Sequence, residues 1–278
     1  MPELPEAETI ARGLNTVLPG RVVGDVEVLR ADVVNGAARA FAGAVAGRGV
    51  RKVGRRGKNV VFTLDDSTRM VVNLGMTGRV MTSSGDGADP RSTHPAVVFH
   101  LEDGGRMTYD DVRRFGLLTA VPATEWARWS RQLGPEPLAR SFTAARLHRI
   151  LARSRSPVRS LLLDQRKIAG VGNIYAVEAL WFARIHPRTP ASDITATPAT
   201  RLHRALRRVL RNAIRAGGTT LRNYRDANGN EGRFGRVLRA YGRQGEPCAR
   251  CRTPIERIVF GGRSAFCCVR CQDESRLP

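Results

Sequence analysis

Acidic residues are in short supply in this chain: 25 Asp and Glu face 46 Lys and Arg, and the formal net charge is +21. A surplus that large points to a polyanionic partner, nucleic acid before an anionic membrane surface. Long apolar runs are missing as well. No stretch approaches the roughly 18 residues that a spanning helix needs, so no membrane partner is expected. Cysteine is absent until position 248, and all five copies fall within 248–271. That excludes a disulfide framework and suggests a metal site. The opening MPELPEAETIARGL lacks the charged-then-apolar layout of a signal peptide, so a cytoplasmic location is expected. There is no internal repeat, and no glycine fingerprint sits in a parallel βαβ pattern, so no nucleotide cofactor is expected.

What remains is enough for two domains: 278 residues, 42% of them hydrophobic. Residues 5–18 read as a helix, with Pro5 in its first turn, Glu6 and Glu8 at its positive end, and Ile10, Leu14 and Leu18 as an apolar stripe. Short β-rich runs at 60–64, 70–74 and 97–101 follow, broken by Asp65-Asp66 and Asp103-Gly104-Gly105. They predict a mostly antiparallel β domain over 1–122. Residues 83–95 are turn-rich. A linker is expected over 123–141, centred on Leu133-Gly134-Pro135-Glu136-Pro137-Leu138. Helical periodicity then dominates 142–216, with Leu202, Leu206, Val209, Ala213 and Ile214 on one buried face. Residues 217–243 are a loop and connection, and 244–278 carry the cysteines. The class is α+β.

Cys248 and Cys251 form one Cys-x-x-Cys knuckle, Cys268 and Cys271 another, with sixteen residues between them. Four thiolates in this spacing suit one tetrahedral Zn²⁺, structural because no position stays open. Between them, 255–260 and 264–268 flank Gly261-Gly262, so the metal caps a β-hairpin. Cys267 points away from it, since neighbouring strand residues face opposite sides. Arg263 lies at the tip, where it fits a phosphate ligand and a solvated surface arginine equally well. Upstream, Gly170-Val171-Gly172-Asn173 joins two helical stretches, and outward backbone amides there would suit a DNA phosphate. A plain helix-helix turn uses the same residues.

Pro2 follows Met1 directly. Removal of the methionine leaves a secondary amine with a pKa near 8, about a tenth neutral at pH 7 and able to form a Schiff base with a sugar. Glu3 beside it suits proton transfer. By themselves, Pro2, Glu3 and Glu6 fit a plain helix cap better.

Pro2-Glu3-Leu4-Pro5-Glu6 nevertheless resembles the opening of the formamidopyrimidine-DNA glycosylase and endonuclease VIII family. The similarity continues through Arg55-Arg56-Gly57-Lys58, Leu74-Gly75-Met76-Thr77-Gly78, Asp111-Val112-Arg113-Arg114-Phe115-Gly116, residues 163–175, 217–221 and 241–248. It implies a β-sandwich domain hinged to a helix-two-turn-helix and zinc-finger domain, with damaged double-stranded DNA in the basic cleft between them. It also implies a monomer associated with the bacterial nucleoid.

Carried over, the resemblance makes Pro2 the Schiff-base nucleophile, Glu3 the general acid, Lys58 a phosphate contact that assists β-elimination, and Arg263 the residue assisting δ-elimination. Met76, Arg113 and Phe115 would fill the gap left by a flipped nucleotide, replacing its lost stacking. His94, Arg113, Arg155, Arg159 and Asn173 would contact DNA. Thr219, Thr220, Leu221 and Arg222 would form the lesion-side loop. The chain departs from the family pattern at Asn73 (usually His), Val112 (usually Pro), Arg159 (usually Lys) and Cys267 (usually aromatic). The expected activity is bifunctional: excision of 8-oxoguanine and formamidopyrimidines, then β,δ-elimination. Two rivals stand beside it, an endonuclease VIII-type enzyme for oxidised pyrimidines and a catalytically inactive zinc protein that only binds damage.

Overall fold

The computed structural model describes residues 2–85, 89, 91–221, 224–227 and 229–273. The chain forms two compact units, Met1–Gln132 with Ala216–Arg233, and Leu133–Arg215 with Phe234–Pro278.

In the first unit, α1 (Leu4–Val17) buries Leu4, Ala7, Ile10, Ala11 and Leu14 along one face. Eight strands follow: β1 (Val22–Val28), β2 (Arg48–Arg56), β3 (Asn59–Leu64), β4 (Arg69–Asn73), β5 (Arg79–Ser83), β6 (Pro95–Leu101), β7 (Arg106–Asp110) and β8 (Leu117–Val121). They are ordered β5-β7-β6-β1-β2-β3-β4-β8, every neighbour antiparallel. The central β1–β2 join has only two residue pairs, Val22 with Gly49 and Val23 with Arg48. So short a join lets the sheet fold into two halves. Val97, Phe99 and Met107 of one half share a core with Val53, Phe62 and Met70 of the other, which is the packing of a sandwich.

Two helices depart from the sequence expectation. The β-rich stretch is interrupted by α2 (Ala38–Val45), held to the core by Phe41 and Val45. The expected linker at 123–141 begins as α3 (Ala123–Arg131). Trp126 and Trp129 stack with centroids 5.2 Å apart and cover Val61, Val71 and Val121. This patch, separate from the main core, is what makes those nine residues part of the first unit.

The second unit contains α4 (Ala144–Ala152), α5 (Val158–Leu163), α6 (Asn173–Ala183), α7 (Ala196–Arg215) and the hairpin β9 (Glu256–Phe260) and β10 (Arg263–Cys267). Helix α6 is apolar almost all round and buried accordingly. The expected loop and connection at 217–243 divides: residues up to 233 belong with the β domain, and those from 234 with the helices. Among the described residues, no helix is long and apolar enough to cross a membrane.

Candidate active site

The first unit places two carboxylates at the start of α1. Glu3 is the helix N-cap, in extended conformation, and its side chain accepts the backbone N–H of Glu6. Glu6 Oε2 returns the bond, accepting the Glu3 N–H at 2.8 Å. This capping box needs an acceptor at the cap and a second one three residues on, as Glu3 and Glu6 provide. Pro2 is buried, and Glu3 and Glu6 are only 3% and 2% exposed. The positive end of the helix lowers the cost of negative charge on a carboxyl group placed there.

Glu6 reaches further. Its Oε1 accepts the Thr219 N–H at 2.7 Å, fastening the 217–221 loop over the helix start. Gly218 lies at φ +89°, and a Cβ there would sit 3.0 Å from both Glu6 Oε1 and the Tyr224 ring. Thr220 Oγ1 donates to the Tyr224 carbonyl at 2.9 Å and accepts the Gly232 N–H at 2.9 Å. Burial and then the charge of Glu6 push the Tyr224 phenol above its ordinary pKa. Leu221 is exposed, whereas Arg222 lies outside the described residues.

Lys58 sits half-buried in the turn between β2 and β3. Arg55 ties that turn to α1, donating to Glu8 Oε2 at 3.0 Å and to the Gly57 carbonyl at 2.8 Å. The lysine turn and the buried carboxylates are thus on neighbouring elements.

A third cluster joins the turns at 74–78 and 111–116. Asp111, 1% exposed, accepts from Thr77 Oγ1, from the Arg113 N–H at 3.2 Å, and from the Tyr109 hydroxyl and the Gly116 N–H at 2.9 Å each. Burial and the charge of Asp111 raise the Tyr109 pKa. Asn73 donates to Asn59 Oδ1 at 2.9 Å and accepts the Gly75 N–H at 3.0 Å, so it braces the turn that carries Met76. These supports present Met76 and Phe115 at 43% and 60% exposure. Arg113 lies 4.5 Å over the Phe115 ring. Exposed apolar side chains on braced turns are suited to contact rather than core packing. His94 is exposed beside them, in a groove of about 720 Å³ that also takes in Arg30, Asp111, Val112 and Arg114.

In the second unit, Cys248, Cys251, Cys268 and Cys271 have all their sulfurs within 4.8 Å of one another. Four sulfurs about 2.3 Å from a common centre would fit inside that span, so the set suits one structural Zn²⁺. Cys267 is buried outside the cluster. Arg263 is exposed at the hairpin tip, and Arg155 is exposed after α4. Arg159 is different: it is 1% exposed, with Nη1 donating to Asn173 Oδ1 at 2.9 Å and Nη2 to the Phe260 carbonyl at 2.6 Å. Asn173 opens α6 and donates to the Ser264 carbonyl at 2.8 Å. Its side-chain amide is therefore engaged within the protein too.

Sequence reading missed Asp111 and Glu178 and took Glu6 only as a helix cap. Glu178, fully buried in α6, accepts the N–H groups of Arg239, Ala240 and Tyr241. A single acid in the apolar run NIYAVEALWFA was the available signal. For Glu6 it was the three-residue spacing from Glu3.

Three family models match in order: the formamidopyrimidine-DNA glycosylase N-terminal domain at residues 1–118, the H2TH domain of the same proteins at 133–225, and a zinc finger found in FPG and IleRS at 245–273. A formamidopyrimidine-DNA glycosylase from Chloroflexus aggregans is 43% identical over 273 residues, 98% of each chain. One from Acidothermus cellulolyticus is 44% identical, covering 100% of this chain and 99% of its own. The crystal structure of the MutM (FPG) protein from Thermus thermophilus has a TM-score of 0.87 at 39% identity, over 98% of this chain and 99% of that one. Lactococcus lactis Fpg in complex with abasic-site DNA scores 0.89 at 30% identity, with the same coverage. Three models spanning both units, and relatives aligned from end to end, agree with the buried N-terminal carboxylates and the four-sulfur hairpin: the chain belongs to the formamidopyrimidine-DNA glycosylase family.

Proposed function

We propose that this protein is a base-excision-repair DNA glycosylase and abasic-site lyase, acting on oxidised purines such as 8-oxoguanine and formamidopyrimidines in double-stranded DNA. The observation that carries the reading is the buried start of α1, where Pro2 and Glu3 are shielded from solvent and Glu6 fastens the 217–221 loop to the helix. Burial there excludes water from an amine of low basicity, which favours attack on a sugar carbon over protonation.

With Met1 removed, the Pro2 nitrogen attacks C1′ of the damaged nucleoside. The C1′–N bond to the base breaks, the base leaving with the bonding pair and taking up the proton that the amine gives up. Glu3 supplies a proton to the sugar ring oxygen as the ring opens to an iminium ion. Loss of the C2′ proton expels the 3′ phosphate (β-elimination). Loss of the C4′ proton expels the 5′ phosphate (δ-elimination), and water releases the sugar fragment from Pro2. Lys58 holds the phosphate beside the lesion, and Arg263 stabilises the phosphate leaving in the second elimination. Met76, Arg113 and Phe115 fill the space left by the extruded nucleotide, and the 217–221 loop covers the base. His94 and Arg155 contact the backbone. The sulfur cluster keeps its metal structural. All these groups come from one chain, which supports a monomer, and the DNA substrate puts its place of action at the bacterial nucleoid.

Borohydride reduction on an abasic duplex tests the reading directly. Wild type should give a covalent adduct and Pro2→Gly should give almost none. An equal yield from both would remove the proposed nucleophile, and no adduct from wild type would leave a damage-binding protein. Excision of thymine glycol faster than of 8-oxoguanine would move the substrate to oxidised pyrimidines.

A further inference from the structure

Arg159 carries its charge into a buried place where, among the described residues, no acidic side chain pairs with it. Its Nη1 donates to an amide oxygen, Asn173 Oδ1, and its Nη2 to two backbone carbonyls, Phe260 at 2.6 Å and Arg263 at 3.4 Å. None of these acceptors is a carboxylate, and among the described residues its Nε has no acceptor. Burial and then the nearby Arg263 charge lower its pKa. A cation placed at such cost is expected to fix something in return.

What it touches is the turn of the zinc hairpin. The guanidinium carbon lies 4.1 Å from the Phe260 ring centre, and that of Arg188 lies 5.5 Å from the same ring. Gly261 and Gly262 follow at φ +57° and +69°, a turn that glycine adopts without strain. A Cβ on Gly261 would be 3.8 Å from Ser160 Oγ and 3.9 Å from Arg159 Nη2, so the first turn of α5 lies against the hairpin turn. The carbonyls of Phe260 and Arg263 are held by Arg159, and that of Ser264 by Asn173. Arg263 is thereby gripped on both sides through its backbone, while its side chain stays exposed.

We propose that Arg159, stacked on Phe260, is a positioning residue that locks the glycine turn of the hairpin and sets where the Arg263 guanidinium reaches. The consequence for chemistry rests on the role proposed above for Arg263. Against the Phe260 ring of this chain a lysine would not make the same lock, because an ammonium has no flat face to stack and no fork to span two acceptors, whatever other arrangement relatives with lysine there use.

The test uses the zinc-loaded full-length protein, with metal content measured for each variant as the check on folding. Amide hydrogen exchange over residues 260–264 reads the lock itself. The ratio of δ- to β-elimination product on an abasic duplex reads its effect, and borohydride trapping reads the first step. Arg159→Lys and Phe260→Leu should both speed exchange in the turn and lower the product ratio about tenfold, since a misplacement near 1 Å is costly to a reacting group. Phe260→Tyr should restore both, and Phe260→Leu should trap within about twofold of wild type. Unchanged exchange in Arg159→Lys would overturn the lock. Faster exchange with an unchanged product ratio would overturn the positioning role, provided Arg263→Ala lowers that ratio. If Arg263→Ala leaves it unchanged, the role of Arg263 fails instead, and the exchange measurement still decides the lock.

Discussion

Glu6 has two carboxylate oxygens, and each holds a backbone N–H, one at Glu3 and one at Thr219. The amide of Glu6→Gln keeps only one acceptor oxygen, so one of those buried donors loses its partner. A buried donor left unsatisfied costs about 1–3 kcal/mol. Glu6→Gln should therefore lower unfolding stability by about that amount and speed amide exchange at Thr219 or Glu3. An unchanged urea midpoint would mean that the carboxylate is not the fastener. The example marks what could be read in advance. The four cysteines were legible because they come as two knuckles close in sequence, whereas Pro2, Glu3 and Lys58 took their proposed roles only from the family resemblance. The Thr219 contact was not legible, since it joins positions 213 residues apart. Asn73 and Arg159 departed from the family pattern at positions whose partners only the fold reveals. Asn73 braces the Met76 turn, and Arg159, expected at the DNA, spends its terminal nitrogens within the protein.

Among the elements, α6 does most to position chemistry in the second unit. Asn173 at its start reaches the hairpin turn, and Glu178 in its middle fixes the backbone of 239–241. At its end, Arg250, from inside the first cysteine knuckle, donates to the Trp181 carbonyl at 2.7 Å and stacks 3.8 Å over the Trp181 ring. Val177 and Trp181 share a small core with Ala240, Ile255, Ala265 and Phe266, and Cys248 and Cys268 complete it. So small a cluster gives little independent stability, and the metal would supply the rest. Chelation of zinc should therefore raise hydrogen exchange across 240–273 while the β3–β4 ladder keeps its protection. Equal loss in both would argue for one cooperative fold rather than a locally stapled hairpin. The long helix α7 and the hairpin were visible as periodicity and punctuation. Helices α2 and α3 were not. Each is short, and α3 presents only two tryptophans to a patch formed by strands far away in sequence.

For the molecule as a whole, the surplus of +21 raises the question of whether DNA affinity follows total charge or placed charge. Screening makes charges more than about 10 Å from a phosphate nearly ineffective at 0.1 M salt. Counterion release counts only the phosphates actually neutralised, with a slope of about −0.9 in log K against log salt for each. Arg155 and Arg128 distinguish the two views. Both are exposed, and each contributes one charge to the total, but Arg155 is proposed at the backbone whereas Arg128 lies on α3, outside every proposed contact. Arg155→Gln should make the slope shallower by about 0.9. Arg128→Gln should leave the slope unchanged, and at most slow association at low salt through the weaker overall field. Equal changes in slope from the two substitutions would show the surplus acting as a diffuse cloud. In that case the basic composition, although it was the first signal to point to a nucleic acid, would carry no information about where the DNA lies.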